Sequence, residues 1–94
     1  MNKTINFNYV ILFYDVNEKR VNKVFKICKK YLNHHQNSVF RGHMTKSVFL
    51  EMKKELMTVV NKEEDFITVI KLLNGSCFEE ESIGGDKKID DIFV

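Results

Sequence analysis

The stretch NYVILFYDV, residues 8–16, predicts a β-strand that is apolar on both faces and ends in a carboxylate. Successive side chains of a strand point to opposite sides, so the stretch separates into two sets of residues. One face carries Phe7, Tyr9, Ile11, Phe13 and Asp15, and the other carries Val10, Leu12, Tyr14 and Val16. Such a strand belongs inside a sheet that is covered on both sides.

The strand is followed by the clearest helix of the chain, residues 17–32, NEKRVNKVFKICKKYL. Asn17 suits its N-cap, and Glu18 in the first turn suits the helix dipole. Apolar residues recur at helical spacing at Val21, Val24, Phe25, Cys28, Tyr31 and Leu32. The opposite side carries the lysine stripe, Lys19, Lys23, Lys26 and Lys30. The stripe is either the solvated back of the helix or a surface that contacts phosphates.

Three further elements follow along the chain. Residues 34–42, HHQNSVFRG, predict one or two strands, with a short strand-like core at 38–40 and a turn at Gly42. A second helix is predicted over residues 46–60, capped by Thr45. Its inner side carries Val48, Phe49, Met52, Leu56, Val59 and Val60. Residues 63–73, EEDFITVIKLL, are rich in β-branched residues and apolar on both faces, which predicts another central strand.

This order of elements predicts one domain over residues 1–94, of the α+β class, with a ferredoxin-like βαββαβ sandwich. Its core spans about residues 7–73. An acidic, glycine-containing connection follows at 74–87, and an extra C-terminal strand is predicted at 88–94. Both helices of this fold cover the same sheet face. The strands are apolar on the other face too, so we expect a homodimer in which two sheets face each other.

Composition narrows the class of protein. The 94 residues are 44% hydrophobic and 30% charged, which is typical of a globular chain. No apolar run reaches the ~18 residues of a membrane span, and the first residues lack a signal-peptide core, so a cytoplasmic location is expected. Cys28 and Cys77 lie outside any metal-ligand spacing and are expected as thiols.

Charge is distributed unevenly along the chain. Residues 1–54 carry eleven Lys and Arg against three Asp and Glu, a net charge of +8. Residues 55–94 carry four against ten, a net charge of −6. The split indicates a basic surface for a polyanion, or an ordinary solvated surface if the charges mix in space.

The segments YVILFYDV, KRVNKVFKICKKYL, HHQNSVFRG and DFITVIKL resemble, in order and spacing, the CRISPR-associated protein two family. The resemblance covers residues 9 to about 73. It implies a ferredoxin-like homodimer, often with a C-terminal strand added to the partner's sheet. It also implies a role in antiviral defence, in which the dimer acts with the integrase, CRISPR-associated protein one, to acquire new spacers.

The same resemblance implies a metal-dependent endonuclease on single-stranded RNA or duplex DNA, with Asp15 as the catalytic and metal-binding residue. Two Asp15 side chains near a dimer axis would hold one Mg²⁺ that keeps most of its waters. The competing interpretation from the residues alone is that Asp15 is an N-cap or turn residue. Arg41 stands where many members have Glu, and His34 and His35 stand where some have Arg.

Three classes of function remain open from the sequence. The first is a non-catalytic scaffold for duplex DNA within the integration complex. Its predicted phosphate contacts are Lys19, Arg20, Lys23, Lys26, Lys30 and Arg41. The second is the Mg²⁺-dependent endonuclease centred on Asp15. The third is a toxin-like ribonuclease related to virulence-associated protein D, or a ferredoxin-like binding module without nucleic acid.

Overall fold

The architecture is a sheet with two helices on one of its sides. A computed structural model describes residues 6–76 together with 79, 81 and 83. Its elements are β1 (Tyr9–Asp15), α1 (Glu18–Tyr31), β2 (Asn33–Gln36), β3 (Val39–His43), α2 (Lys46–Val59) and β4 (Phe66–Leu72). This is the predicted ferredoxin-like order, and the α+β class is confirmed. The predicted terminal strand at 88–94 lies outside the described residues, as does most of the connection before it.

The four strands form one antiparallel sheet in the order β2-β3-β1-β4. β1 is central, and Ile11 lies between Arg41 of β3 and Ile70 of β4. β4 was predicted to be central as well. Within the described part of the chain β4 pairs only with β1 and therefore lies at the sheet edge.

Both helices begin where the sequence places their caps. The Asn17 side chain accepts a hydrogen bond from the Lys19 amide at 2.8 Å, and Thr45 Oγ1 accepts one from the Val48 amide at 3.3 Å. Asp15 is the last residue of β1 and does not cap α1. The interpretation of Asp15 as an N-cap is therefore wrong.

The region between the helices differs from the prediction in where its strands and turn lie. It forms two strands joined by a turn at residues 37–38, where Asn37 adopts a φ of 46°, a left-handed conformation that Asn tolerates. Gly42, predicted to form a turn, is buried inside β3. A Cβ atom at Gly42 would lie 3.3 Å from Leu32 Cδ2, so glycine there permits close approach of α1's end to the sheet.

The hydrophobic core lies between the helices and one face of the sheet. Its buried residues are Val10, Leu12, Tyr14, Val24, Cys28, Leu32, Phe40, Met44, Phe49, Met52 and Leu56. Phe40 is fully buried, and its ring centroid is 5.3 Å from that of Phe25 on α1. Cys28 is a free thiol whose pKa is raised to about 12 by burial. No helix within the described residues has both the length and the apolar character of a membrane span.

Truncating Phe40 tests this one-sided core. Phe40→Ala should lower the free energy of unfolding by about 3–5 kcal/mol, since it removes a fully buried ring and leaves a cavity. Urea unfolding at a fixed protein concentration measures the change. Leu50→Ala, at a side chain on α2 that is 50% exposed, is the control and should shift stability by less than about 0.5 kcal/mol. Equal losses for the two variants would contradict this placement of the core.

Candidate functional site

The sheet face opposite the helices, here the open face, is largely apolar. It is formed by Tyr9, Ile11, Phe13 and Asp15 of β1, Val39, Arg41 and His43 of β3, and Phe66, Thr68, Ile70 and Leu72 of β4. Phe13 is 40% exposed, Ile70 44% and Phe66 66%. Neighbouring exposed apolar side chains of this kind are typical of an interaction surface.

Asp15 is the acidic residue of the open face. It lies at the C-terminal end of β1, directly opposite Phe66 of β4, and its side chain is exposed. The amide of its neighbour Tyr14 donates to the Ser38 carbonyl at 3.2 Å, which ties this end of the strand to the β2–β3 turn. The sequence prediction that a carboxylate ends the central strand is therefore confirmed in position.

The donor set determines whether Asp15 can hold a metal ion. Among the described residues no group of three or more His, Cys, Asp or Glu side chains could hold one. Mg²⁺ is commonly bound by only one or two carboxylates, with waters and substrate phosphates completing its shell. Asp15 fits such a site as one oxygen ligand. Among the described residues of the open face, Asp15 is the only carboxylate.

The lysine stripe lies on the other side of the sheet, along α1. Lys19, Lys23 and Lys26 are exposed there. Lys30 Nζ lies 2.6 Å from Glu55 Oε1 on α2, and the Tyr31 hydroxyl donates to the same carboxylate. The hydrogen bond to Glu55 raises the pKa of Tyr31 to about 12. The structure thus places the stripe and the Asp15 side chain on opposite sides of the sheet.

Arg20, predicted to contact phosphates, is bound by two carboxylates of the turn before β4. Its Nε donates to Asp65 Oδ2 at 2.6 Å, and its Nη2 donates to Glu64 Oε1 at 2.8 Å and to Asp65 Oδ1 at 3.2 Å. Its guanidinium therefore joins α1 to that turn. This role was not recognised in the sequence, because the partners lie 44 and 45 residues away.

Asp65 is the buried carboxylate among the residues that the structure describes. Its side chain has no exposed surface and accepts hydrogen bonds from the Asn17 amide at 2.9 Å and the Asn61 amide at 2.8 Å, besides those from Arg20. The Arg20 hydrogen bonds and these two amides hold the pKa of Asp65 far below its usual range. We call Asp65, Arg20, Asn17 and Asn61 the Asp65 clasp. The sequence prediction placed Asp65 inside a strand.

Arg41 and the two histidines of β2 are distributed over both sides of the sheet. Arg41 lies on the open face, away from the lysine stripe. The His34 ring packs on the helix side, with its centroid 4.9 Å from that of Phe40, and its Nε2 lies 2.8 Å from the Asn37 carbonyl. Burial lowers the pKa of His35, and the nearby charges of Arg41 and His34 act in the same direction. The six predicted phosphate contacts therefore do not form one surface.

Comparisons of this chain with a family model, with relatives and with solved structures all point to the same family. Residues 8–80 match the model of a family described as CRISPR associated protein Cas2. CRISPR-associated endoribonuclease Cas2 2 of Archaeoglobus fulgidus is 38% identical over 79 residues, 84% of this chain and 86% of that protein. CRISPR-associated endoribonuclease Cas2 3 of Thermodesulfovibrio yellowstonii is 43% identical over 81 residues, 86% and 92% of the two chains. A solved structure described as a crystal structure of Cas2 has a TM-score of 0.79 at 39% identity, covering 85% and 90%.

The low pKa of Asp65 predicts how stability changes in acid. A carboxyl whose pKa is lower in the folded than in the unfolded state stabilises the fold above its unfolded pKa, and that stabilisation is lost as pH falls. From the usual value of 3.8, the loss should begin below about pH 5 and continue toward pH 2.

Urea unfolding of the wild type and of Asp65→Asn at pH 7, 5, 4, 3 and 2 measures this effect. The variant should be less stable at pH 7, and the difference should shrink as pH falls. Other carboxylates titrate in both proteins, so the difference isolates Asp65. A difference that stays constant across the series would show that the Asp65 charge does not stabilise the fold.

Proposed function

Because the chain belongs to the CRISPR-associated Cas2 family, we propose that it is a homodimeric, Mg²⁺-dependent endonuclease that also binds duplex DNA during spacer acquisition. Its catalytic and metal-binding residue is Asp15, and its partner protein is the integrase, CRISPR-associated protein one. The observation that carries the proposal is the exposed carboxylate at the end of the central strand, on an apolar face. Relatives named endoribonucleases support a phosphodiesterase activity.

The dimer is proposed from the open face. Phe13, Phe66 and Ile70 would be removed from water if two copies packed sheet against sheet. In a two-fold contact of this kind each residue near the axis meets its own copy. The C-terminal segment at 88–94 would add to the partner's sheet at β4, which lies at the edge in the described part of the chain.

In this dimer the two Asp15 carboxylates would provide the negative charge that attracts a cation. Two carboxylates held close together repel, so a shared cation or proton is needed where they meet. When bound there, Mg²⁺ would supply charge neutralisation at the scissile phosphate and would acidify a water molecule. The contribution of the protein is to hold the two Asp15 oxygens at a fixed separation on a surface shielded by apolar side chains.

Duplex DNA is proposed to bind the opposite side of the molecule, along α1. Lys19, Lys23 and Lys26 are exposed at the spacing of helical turns and can contact successive phosphates without reading the bases. Lys30 contributes less, because it is paired with Glu55, and Arg20 contributes least, because it is bound by Asp65 and Glu64. Arg41 would contact nucleic acid only at the open face.

A scaffold without catalysis is the second candidate. It is favoured by the exposed Lys19, Lys23 and Lys26 of α1, which can contact phosphates without any reaction at Asp15. In that case the lysine stripe would carry the function and Asp15 would be dispensable. The next two experiments separate these activities.

Asp15→Asn tests the nuclease. The substitution keeps the shape of the side chain but removes its charge, so Mg²⁺-dependent cleavage of single-stranded RNA and duplex DNA should be abolished. The circular dichroism spectrum, native mass and DNA affinity should stay unchanged. Glu18→Gln, at an exposed acid three residues further along, is the matched control and should cleave normally. Cleavage that survives Asp15→Asn would move the protein into the scaffold class.

The triple variant Lys19→Glu, Lys23→Glu, Lys26→Glu tests the DNA surface. Each lost phosphate contact should flatten the slope of log affinity against log salt by about 0.9, and the affinity for duplexes of any sequence should fall. Fluorescence anisotropy across a salt series measures both. Reversing Lys53, Lys54 and Lys62 changes the net charge equally at exposed sites outside α1. If both triple variants behave alike, the lysine stripe is only a solvated helix face.

A further inference from the structure

We propose that Asp65 is a positioning residue for Asp15, acting through the backbone of the β1–α1 turn. The inference rests on the proposed function, in which Asp15 is the catalytic carboxylate. Nothing in the sequence connects the two residues, which lie 50 positions apart. The structure brings their segments together at the end of the sheet.

Two adjacent residues hold the chain at Asp15 and two positions beyond it. Asp15 itself pairs with Phe66 in the β1–β4 ladder. Two residues later, the Asn17 amide donates to Asp65 Oδ1 at 2.9 Å. The segment that carries the proposed catalytic residue is thus fixed to Phe66 at the end of the sheet and to Asp65 just beyond it.

Asp65 is itself held in place by several donors. Its Oδ2 accepts from Arg20 Nε at 2.6 Å and from the Asn61 amide at 2.8 Å. Hydrogen bonds to an ionised acceptor are shorter and stronger than neutral ones. The side chain has no exposed surface, so water cannot replace a lost donor without local opening. The clasp therefore joins the first turn of α1, the β1–α1 turn and the α2–β4 turn as one unit.

The position of the Asp15 carboxylate depends on this unit, because an exposed side chain is not held in place by packing around it. Its position follows from its backbone, which β4 and the clasp define. A site in which two carboxylates share one cation tolerates displacements of only about 0.5 Å. Misplacement by about 1 Å can cost about 100-fold in rate.

Asp65→Asn tests the inference. Asparagine keeps one oxygen for the Asn17 amide but replaces the other with an NH₂ donor, which cannot accept from Arg20 or Asn61. At a temperature well below the unfolding midpoint, kcat should fall at least about tenfold while KM for the oligonucleotide changes less than about twofold. Mn²⁺ affinity, measured by electron paramagnetic resonance without substrate, should weaken several-fold. A purely structural role would lower the midpoint and leave kcat and Mn²⁺ affinity unchanged.

Two further variants keep the test decisive. Glu55→Gln removes the carboxylate that binds Lys30 at the other end of α1 and should leave kcat and Mn²⁺ affinity unchanged. Arg20→Lys keeps the charge beside Asp65 but loses the guanidinium fork, and it should show an intermediate loss of both. It replaces Asp65→Asn if that variant fails to fold.

The possible outcomes distinguish failure of the positioning role from failure of the proposed nuclease function. If Asp15→Asn abolishes cleavage and Mn²⁺ binding while Asp65→Asn behaves like Glu55→Gln, the positioning role is overturned and the nuclease stands. If the wild type neither binds Mn²⁺ nor cleaves, or if cleavage survives Asp15→Asn, the proposed function is overturned and the inference with it. Combined loss of kcat and Mn²⁺ affinity in folded Asp65→Asn supports both.

Discussion

One constraint governs this molecule: two helices can cover only one side of a sheet whose central strand is apolar on both sides. The covered side forms the core around Leu12 and Phe40, which are fully buried. The other side leaves Phe13 and Ile70 in contact with water. Because exposed apolar surface favours association, this face is the basis of the proposed homodimer. The proposed site depends on this association, since the described residues of one chain supply one carboxylate on that face.

The second organising feature is the buried charge at the end of the sheet. A carboxylate without exposed surface is tolerated only when donors satisfy it, and Asp65 is satisfied by Arg20 and two backbone amides. Its donors come from the starts of α1 and of the α2–β4 turn. The same end of the sheet carries Asp15. At the point where β1 leaves the sheet, Asp65 is therefore buried and hydrogen-bonded, whereas Asp15 nearby is exposed.

Periodicity in the sequence predicted the order of the elements but not the pairing of the charged side chains. The two-sided pattern of residues 8–16 predicted β1, and helical spacing with Asn17 and Thr45 as caps predicted α1 and α2. The pair of strands between the helices was predicted, but its turn was placed at Gly42 instead of residues 37–38, because Gly42 resembles a turn residue whereas its role is close packing against Leu32. The pairing of Arg20 with Asp65 could not be predicted, since it joins segments 45 residues apart and has no local pattern. Family resemblance, not periodicity, gave Asp15 its proposed role.

Sedimentation equilibrium over a range of micromolar concentrations tests most directly whether the open face joins two copies. The account predicts a native mass twice the 11.1 kDa of one chain. It also predicts that Ile70→Asp, which places a charge on the exposed apolar surface of β4, shifts the protein to the mass of one chain, whereas Leu50→Asp on α2 does not. A wild-type mass of one chain at these concentrations, or a dimer that Ile70→Asp leaves intact, would contradict the account.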